Sequence, residues 1–275
     1  MARRRPADLR ALAFAALAAA APGCESGTGG REVRFDFALA SAPAAGRPLG
    51  AFTTSTGWDV TLEQACVALG PVYLYENAPL LAPTARAGRR PPRDWLGWLV
   101  PPAYAHAGDE HFDGGQVRGE WVEQIAFDAL DPAGRAFPGV RGLAGSARSF
   151  SLLLDPPRPS LGDAAACLRG HHAYAAGVAT RDGLRVEFEG GLDFAVEGAA
   201  RRVDGVALDA VLDDGVRVVV ELHVPAWFDQ AHFERLTETA PSGRYLINPS
   251  SQVGAAWLLG ARGASTFSGA TKGQD

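Results

Sequence analysis

Lysine is nearly missing from this chain: Lys272 stands alone among 26 basic residues, and every other cation is arginine. Together with the abundance of alanine, glycine and proline, that bias reflects GC-rich coding more than a basic functional surface. Long apolar runs are missing too. The longest, Ala11–Ala21 (ALAFAALAAAA), falls well short of the ~20 residues a membrane-spanning helix requires. Signatures of common chemistries are absent: there is no P-loop, no G-x-G-x-x-G opening a helix, no H-E-x-x-H and no C-x-x-C. Gly142-Leu143-Ala144-Gly145-Ser146 does not make the G-x-S-x-G nucleophile elbow, and the adjacent carboxylates Asp213-Asp214 sit in a turn. Nothing in these patterns marks an enzyme. Apolar residues make up 47% of the chain, which excludes general disorder and leaves enough material for one large core.

What is present begins at the N-terminus. Arg3, Arg4, Arg5 and Arg10 form a basic head, the apolar run follows, and Pro22-Gly23-Cys24 closes it. These are the three zones of a secretory signal. Ala21-Pro22-Gly23-Cys24 resembles the lipobox of bacterial lipoproteins, although a larger aliphatic residue is usual where Ala21 stands. The resemblance covers only these first residues. It implies cleavage before Cys24, lipid attachment at its thiol and a cell-envelope location on the periplasmic or outer face of a membrane. Residues 1–23 would be the signal and 24–30 a flexible lipidated tether.

Cleavage changes the charge. Residues 1–23 carry four arginines and Asp8, so the 26 cations and 31 anions of the whole chain fall to 22 and 30. The resulting net charge of −8 argues against a nucleic-acid partner, because phosphate recognition needs clustered cations. With Cys24 committed to lipid, Cys66 and Cys167 are the remaining cysteines. An even pair in an oxidising compartment is read either as a disulfide or as two unrelated buried thiols.

Two-residue periodicity dominates the body. Val33, Phe35, Phe37 and Leu39 alternate with more polar positions. Val60 and Leu62 alternate in one phase and Ala65, Val67 and Leu69 in the other, so a bulge or bend is expected near Gln64. Phe150–Leu154 and Gln116–Phe127 are further strands, with a helix as the alternative for Trp121–Leu130. Asp182-Gly183 and Asp214-Gly215 each precede alternating residues and predict hairpins, the first pairing Tyr174–Thr180 with Leu184–Glu189, the second Val203–Leu212 with Val216–Val224. Helix signals come late: Asp229 as a cap for a helix through Leu236, and Asn248-Pro249 opening another that ends near Gly263. The fold class expected is mainly β, an antiparallel β-sandwich over residues 31–265 with one or two short C-terminal helices and a frayed tail at 266–275. Its opening strands and Gly57-Trp58-Asp59-Val60-Thr61-Leu62 resemble uncharacterised secreted bacterial β-rich proteins that belong to no named family.

One irregular loop, 79–115, interrupts this rhythm. Pro79–Pro102 holds six prolines and the aromatic pair Trp95 and Trp98. These tryptophans either pack back on the sheet or meet a membrane or an envelope protein partner; a sheet edge is the other surface for such an interaction role. Beyond them, His106, Asp109, Glu110, His111 and Asp113 gather imidazoles and carboxylates, and His171-His172 forms a second group. Imidazole nitrogens with supporting carboxylate suit zinc or copper. The metal set read from the sequence is therefore His106, Asp109, His111 and one of His171 and His172, since neighbours on a strand face opposite ways. The alternative is a set of solvated turns. The function expected is a non-enzymatic binding role at the envelope.

Overall fold

Residues Glu32 to Ser41 (β1) show how the alternation becomes structure. Val33, Phe35, Phe37 and Leu39 are each almost fully buried, while Arg34 and Asp36 face outward. In this computed structural model residues 30–79, 114–194 and 201–272 are described. The chain divides into Met1–Arg31 and Glu32–Asp275, and the fold below is that of the second unit. The signal and Cys24, as well as Trp95, Trp98, His106, Asp109, Glu110, His111 and Asp113, lie outside the described residues.

Two sheets enclose the core. Further strands of the larger sheet are β4 (Val72–Tyr75), β5 (Val117–Trp121), β7 (Arg135–Leu143), β8 (Gly145–Leu153), β11 (Arg202–Leu212), β12 (Arg217–Leu222) and β14 (Phe267–Lys272). Their order is β11-β8-β4-β5-β7-β1-β12-β14. The smaller sheet holds β2 (Ala51–Thr53), β3 (Asp59–Leu69), β9 (Ala173–Arg181), β10 (Leu184–Leu192) and β13 (Tyr245–Ile247) in the order β13-β10-β9-β3-β2, with β6 (Ile125–Asp128) also on β3. Pairing is antiparallel except where β1 meets β12 and β10 meets β13. The fold is thus mainly β, as expected, and the larger sheet curls so far that its end strands approach. A Cβ added to Gly269 on β14 would come 2.6 Å from Leu208 Cδ1 on β11, so a larger residue there would have to displace that side chain. No helix among the described residues is long and apolar enough to cross a membrane.

The phase slip in β3 is a bulge: the register with β9 shifts between Leu62 and Gln64. Beyond it both faces are covered. Val67 and Leu69 enter the main core, whereas Cys66 and Ala68 pack with Ala126 and Leu168 in a smaller apolar cluster outside the sheet. The cover is a 3₁₀ segment, Pro159–Leu168, kinked at Gly162.

Four expectations change. The Asp182-Gly183 turn does form its hairpin, with φ of 51° and 81°, the two positive angles that a tight primed turn demands. The Asp214-Gly215 turn does not. Gly215 donates its N–H to the Arg34 carbonyl (3.0 Å) and Arg34 N–H donates to Asp214 Oδ1 (2.8 Å), so β1 captures the turn. β12 then runs parallel beside β1, and β11 pairs with β8 instead. Gln116–Phe127 is strand as expected, split into β5 and β6, and the helix alternative for Trp121–Leu130 is not taken.

Near Asp229 the helix is α1 (Pro225–Phe228), and Asp229 closes it instead of capping a later one. Its carboxylate accepts from Ser55 N–H at 2.9 Å, and Thr56 Oγ1 donates to the Ala231 carbonyl at 2.6 Å, which ties this segment across the end of the sandwich. In α2 (Gln252–Ala261) the cap is Ser251, whose Oγ accepts from Gly254 N–H at 3.0 Å; Asn248 belongs to the turn before it. The tail is also a correction. Residues 267–272 form β14, antiparallel to β12 from Phe267↔Leu222 to Lys272↔Arg217. Its Ser, Gly and Thr content concealed a strand held by backbone pairing more than by apolar burial, since only Phe267 is buried.

Candidate functional site

The hairpin register leads to a polar corner. The last pair of the β9–β10 ladder is Ala173↔Leu192, so one step further His172 stands opposite Asp193. Asp193 binds both histidines. Its Oδ1 accepts His172 N–H (3.2 Å) and its Oδ2 lies 3.0 Å from His171 Nδ1. Asp193 was not singled out in the sequence, yet the Asp182-Gly183 turn fixes the register that places it here.

The two imidazoles, in the bend just before β9, face different surroundings. His172 is buried at 8% exposure with its ring 5.9 Å from that of Phe194. Its Nδ1 accepts the Phe194 N–H at 3.0 Å. That bond requires a bare Nδ1, so the neutral ring carries its proton on Nε2, 3.9 Å from Asp193 Oδ1. Burial pushes the His172 pKa below its ordinary value. Asp193 and Asp155 oppose that shift, and His171 adds to it. His171 points outward with its side chain 40% exposed, lying over Gly191, where any Cβ would collide with its ring. Its Nδ1 is held by Asp193, and its Nε2 has no hydrogen-bond partner among the described residues.

A second polar group fixes the adjoining turn. Asp155, 7% exposed, receives Arg201 Nη1 at 2.8 Å and lies 3.8 Å from Arg158 Nη2. Gln124 braces the same turn by donating to the Pro156 carbonyl (2.9 Å) and accepting Arg158 N–H (2.8 Å). The segment leaving this turn is the 3₁₀ cover, which a disulfide from Cys167 to Cys66 ties to β3; the Cα atoms are 6.0 Å apart. Neither sulfur is then available as a thiolate ligand.

Of the metal set read from the sequence, His106, Asp109 and His111 lie outside the described residues. His171 and His172 do not converge, and the choice between them narrows: His172 is sunk in the core with Nδ1 occupied, while His171 offers a free nitrogen. Among the described residues no group of three or more His, Cys, Asp or Glu side chains could hold a metal ion. The other histidines join elements. His223 Nε2 lies 2.8 Å from Ser268 Oγ, linking the end of β12 to β14. His232 Nδ1 lies 3.2 Å from Glu234, whose carboxylate also meets Arg181, and the Arg181 guanidinium lies 4.6 Å from the Trp58 ring centroid.

A pH prediction follows from His172. Its pKa in the fold is below the unfolded value, so the neutral ring's contribution is fully present above about pH 6.5 and is lost as pH falls below it through the folded pKa. Urea midpoints measured in chelator at pH 7.5 and pH 5 should fall on acidification, and by less in His172→Phe. An equal fall in both proteins would exclude His172 as the source.

No protein-family model, no curated protein and no solved structure matches the chain.

Proposed function

We propose that this chain is an exported binding protein, held at a membrane of the cell envelope by lipid on Cys24 and acting without catalysis. The observation that carries the proposal is the Cys66–Cys167 bridge. Disulfides persist in periplasmic and extracellular compartments and are rare where cellular thiol reductants operate. The bridge therefore supports export from within the body of the protein, independently of the signal-like N-terminus. Two or three acyl chains at Cys24 supply stable anchorage at about 0.8 kcal/mol per buried methylene. Cys24→Ser tests this: the variant is expected to leave the membrane pellet and lose labelling by a clickable palmitate analogue. Retention of both would sink the anchor.

The class of ligand proposed is a transition-metal ion, zinc or copper, with His171 as one donor. The favouring observation is the Asp193 carboxylate on His171 Nδ1, which leaves Nε2 directed outward; carboxylates orient metal-binding imidazoles in this way. Removing the donor by His171→Ala, or its orienting carboxylate by Asp193→Asn, should each weaken binding at least about tenfold in a calorimetric titration with Zn²⁺ or Cu²⁺ on untagged protein. No heat from the parent protein would remove the metal from the proposal and leave the rest standing. The sheet edges serve a protein partner less well. β2 and β13 are three residues long, and β11 and β14 face each other, so no long flat template is offered for an added strand among the described residues.

A further inference from the structure

The two sulfurs of the bridge differ in their surroundings. Cys66 is 2% exposed, sealed in the small cluster with Ala68, Ala126 and Leu168. Cys167 is partly exposed and lines a cavity of about 290 Å³, bounded by Ala164 on the 3₁₀ segment and by Phe127, Asp128, Asp131 and Arg135 on the facing strand and turn. Two of these carboxylates are engaged locally: Asp128 accepts Leu130 N–H and Asp131 accepts Ala133 N–H, both at 2.9 Å. Arg135 also lines the cavity and sets one positive charge against the two carboxylates.

Thiol–disulfide exchange needs a thiolate to approach one sulfur on the side opposite the other. From these positions we infer that the Cys66–Cys167 bridge is a thiol-exchange site entered at Cys167, and that opening it releases the Pro159–Leu168 cover from β3. In the first step a thiolate of a dithiol reductant bonds to Cys167 Sγ and the S–S bond breaks. The electron pair goes to Cys66, which leaves as a thiolate and takes up a proton. In the second step the reductant's other thiolate attacks its own sulfur in the mixed disulfide and expels Cys167 as a thiolate, which is also protonated. The bridge gains two electrons and two protons, and the reductant becomes a disulfide.

Burial holds Cys66 in the small cluster beside Cys167 after the S–S bond breaks. It also keeps Cys66 poised to reclose on a mixed disulfide at Cys167, so a monothiol opens the bridge reversibly. Once the bridge is open, the cover keeps the small cluster, the Gln124 bond to Arg158 N–H at one end and the Arg169 contacts at the other, a guanidinium 4.7 Å from the Tyr174 ring centroid and a 3.1 Å bond to Gln64. Neither cysteine belongs to the main core cluster, so the sandwich itself stays folded.

The inference rests on the same bridge as the proposed function, and the test separates their failures. Non-reducing peptide mapping of the untreated full chain comes first. Absence of a Cys66–Cys167 peptide would remove the support for export as well as this inference. With the bridge present, exposure to glutathione followed by an acid quench should place the mixed disulfide on Cys167 over Cys66 by about tenfold or more. Equal adducts, or an excess on Cys66, would overturn the inference and leave export intact.

Ala164→Trp, which fills the cavity from the exposed side, should slow adduct formation about fivefold or more at an unchanged urea midpoint. An unchanged rate would refute entry through this cavity. After full reduction with dithiothreitol, amide exchange should quicken most over about residues 156–171, beyond the increase that the loss of global stability brings to the protected amides of the sandwich. Exchange that quickens equally in β1 and β12 would refute release of the cover alone.

Discussion

Replacing both Cys66 and Cys167 with serine is expected to lower the unfolding free energy by about 4–5 kcal/mol, the largest loss foreseen for any change outside the central core. The magnitude follows from the 101-residue separation that the bridge closes. A cross-link over so long a loop removes many conformations from the unfolded chain, and on the chain-entropy account the stabilisation grows slowly with loop length. The effect therefore lies mostly in the unfolded state. Two signs distinguish it from lost packing: the urea midpoint falls, and the slope of stability with urea rises, because an uncross-linked chain exposes more surface on unfolding. A loss below about 1 kcal/mol would mean that the cross-link is not formed in the protein in solution.

Trp257→Ala should cost about 3–5 kcal/mol through lost packing in the folded state. Trp257 is fully buried on α2, with its ring centroid 5.2 Å from that of Phe228 and 5.7 Å from that of Trp227. The contacts continue from Phe228 to Phe188 and Phe233, and from Phe233 to Trp58. A chain of rings thus joins the C-terminal helices to the smaller sheet, and alanine at position 257 opens a cavity at one end of it. Trp257→Phe is the informative companion. The Trp257 Nε1–H is buried without a hydrogen-bond partner, so phenylalanine removes an unsatisfied donor as it removes volume. Its cost should stay below about 1.5 kcal/mol. If phenylalanine proved as costly as alanine, ring stacking would not be what holds α2 to the sandwich.

How much of this was legible in the sequence varied with the range of the forces involved. Strand β1 was, because Val33, Phe35, Phe37 and Leu39 bury one face each in turn. So was the break near Gln64, where the change of apolar phase called for a bulge or a bend and the register shows a bulge. The two Asp-Gly turns show where local reading ends. They look alike in the chain, but Asp182 and Gly183 both adopt positive φ while Asp214 does not. The difference comes from Arg34, 180 residues away, which accepts the second turn into the edge of β1. Strand β14 was concealed for a related reason: its partner β12 supplies the ladder, and its own side chains add little burial.

The polar corner was half legible. The histidines were expected on a strand but lie in the bend before β9, while the hairpin turn fixed Asp193 as the residue across from them, although only the register reveals it. That His172 takes a backbone N–H on Nδ1 depends on how the chain bends after β10, which no local pattern encodes. The pairing of Cys66 with Cys167 was open on sequence grounds, because proximity across the smaller sheet depends on where the 3₁₀ segment folds back.

The central proposal is that an oxidised β-sandwich is exported and held by lipid on Cys24. The most direct measurement is the intact mass of the protein extracted from membranes of the producing cell, before and after reduction. The expected species begins at Cys24, carries the added mass of its acyl chains, and gains two hydrogens on reduction as the Cys66–Cys167 bridge opens. A chain still beginning at Met1, or one with a free thiol at Cys24 and no gain on reduction, would contradict it.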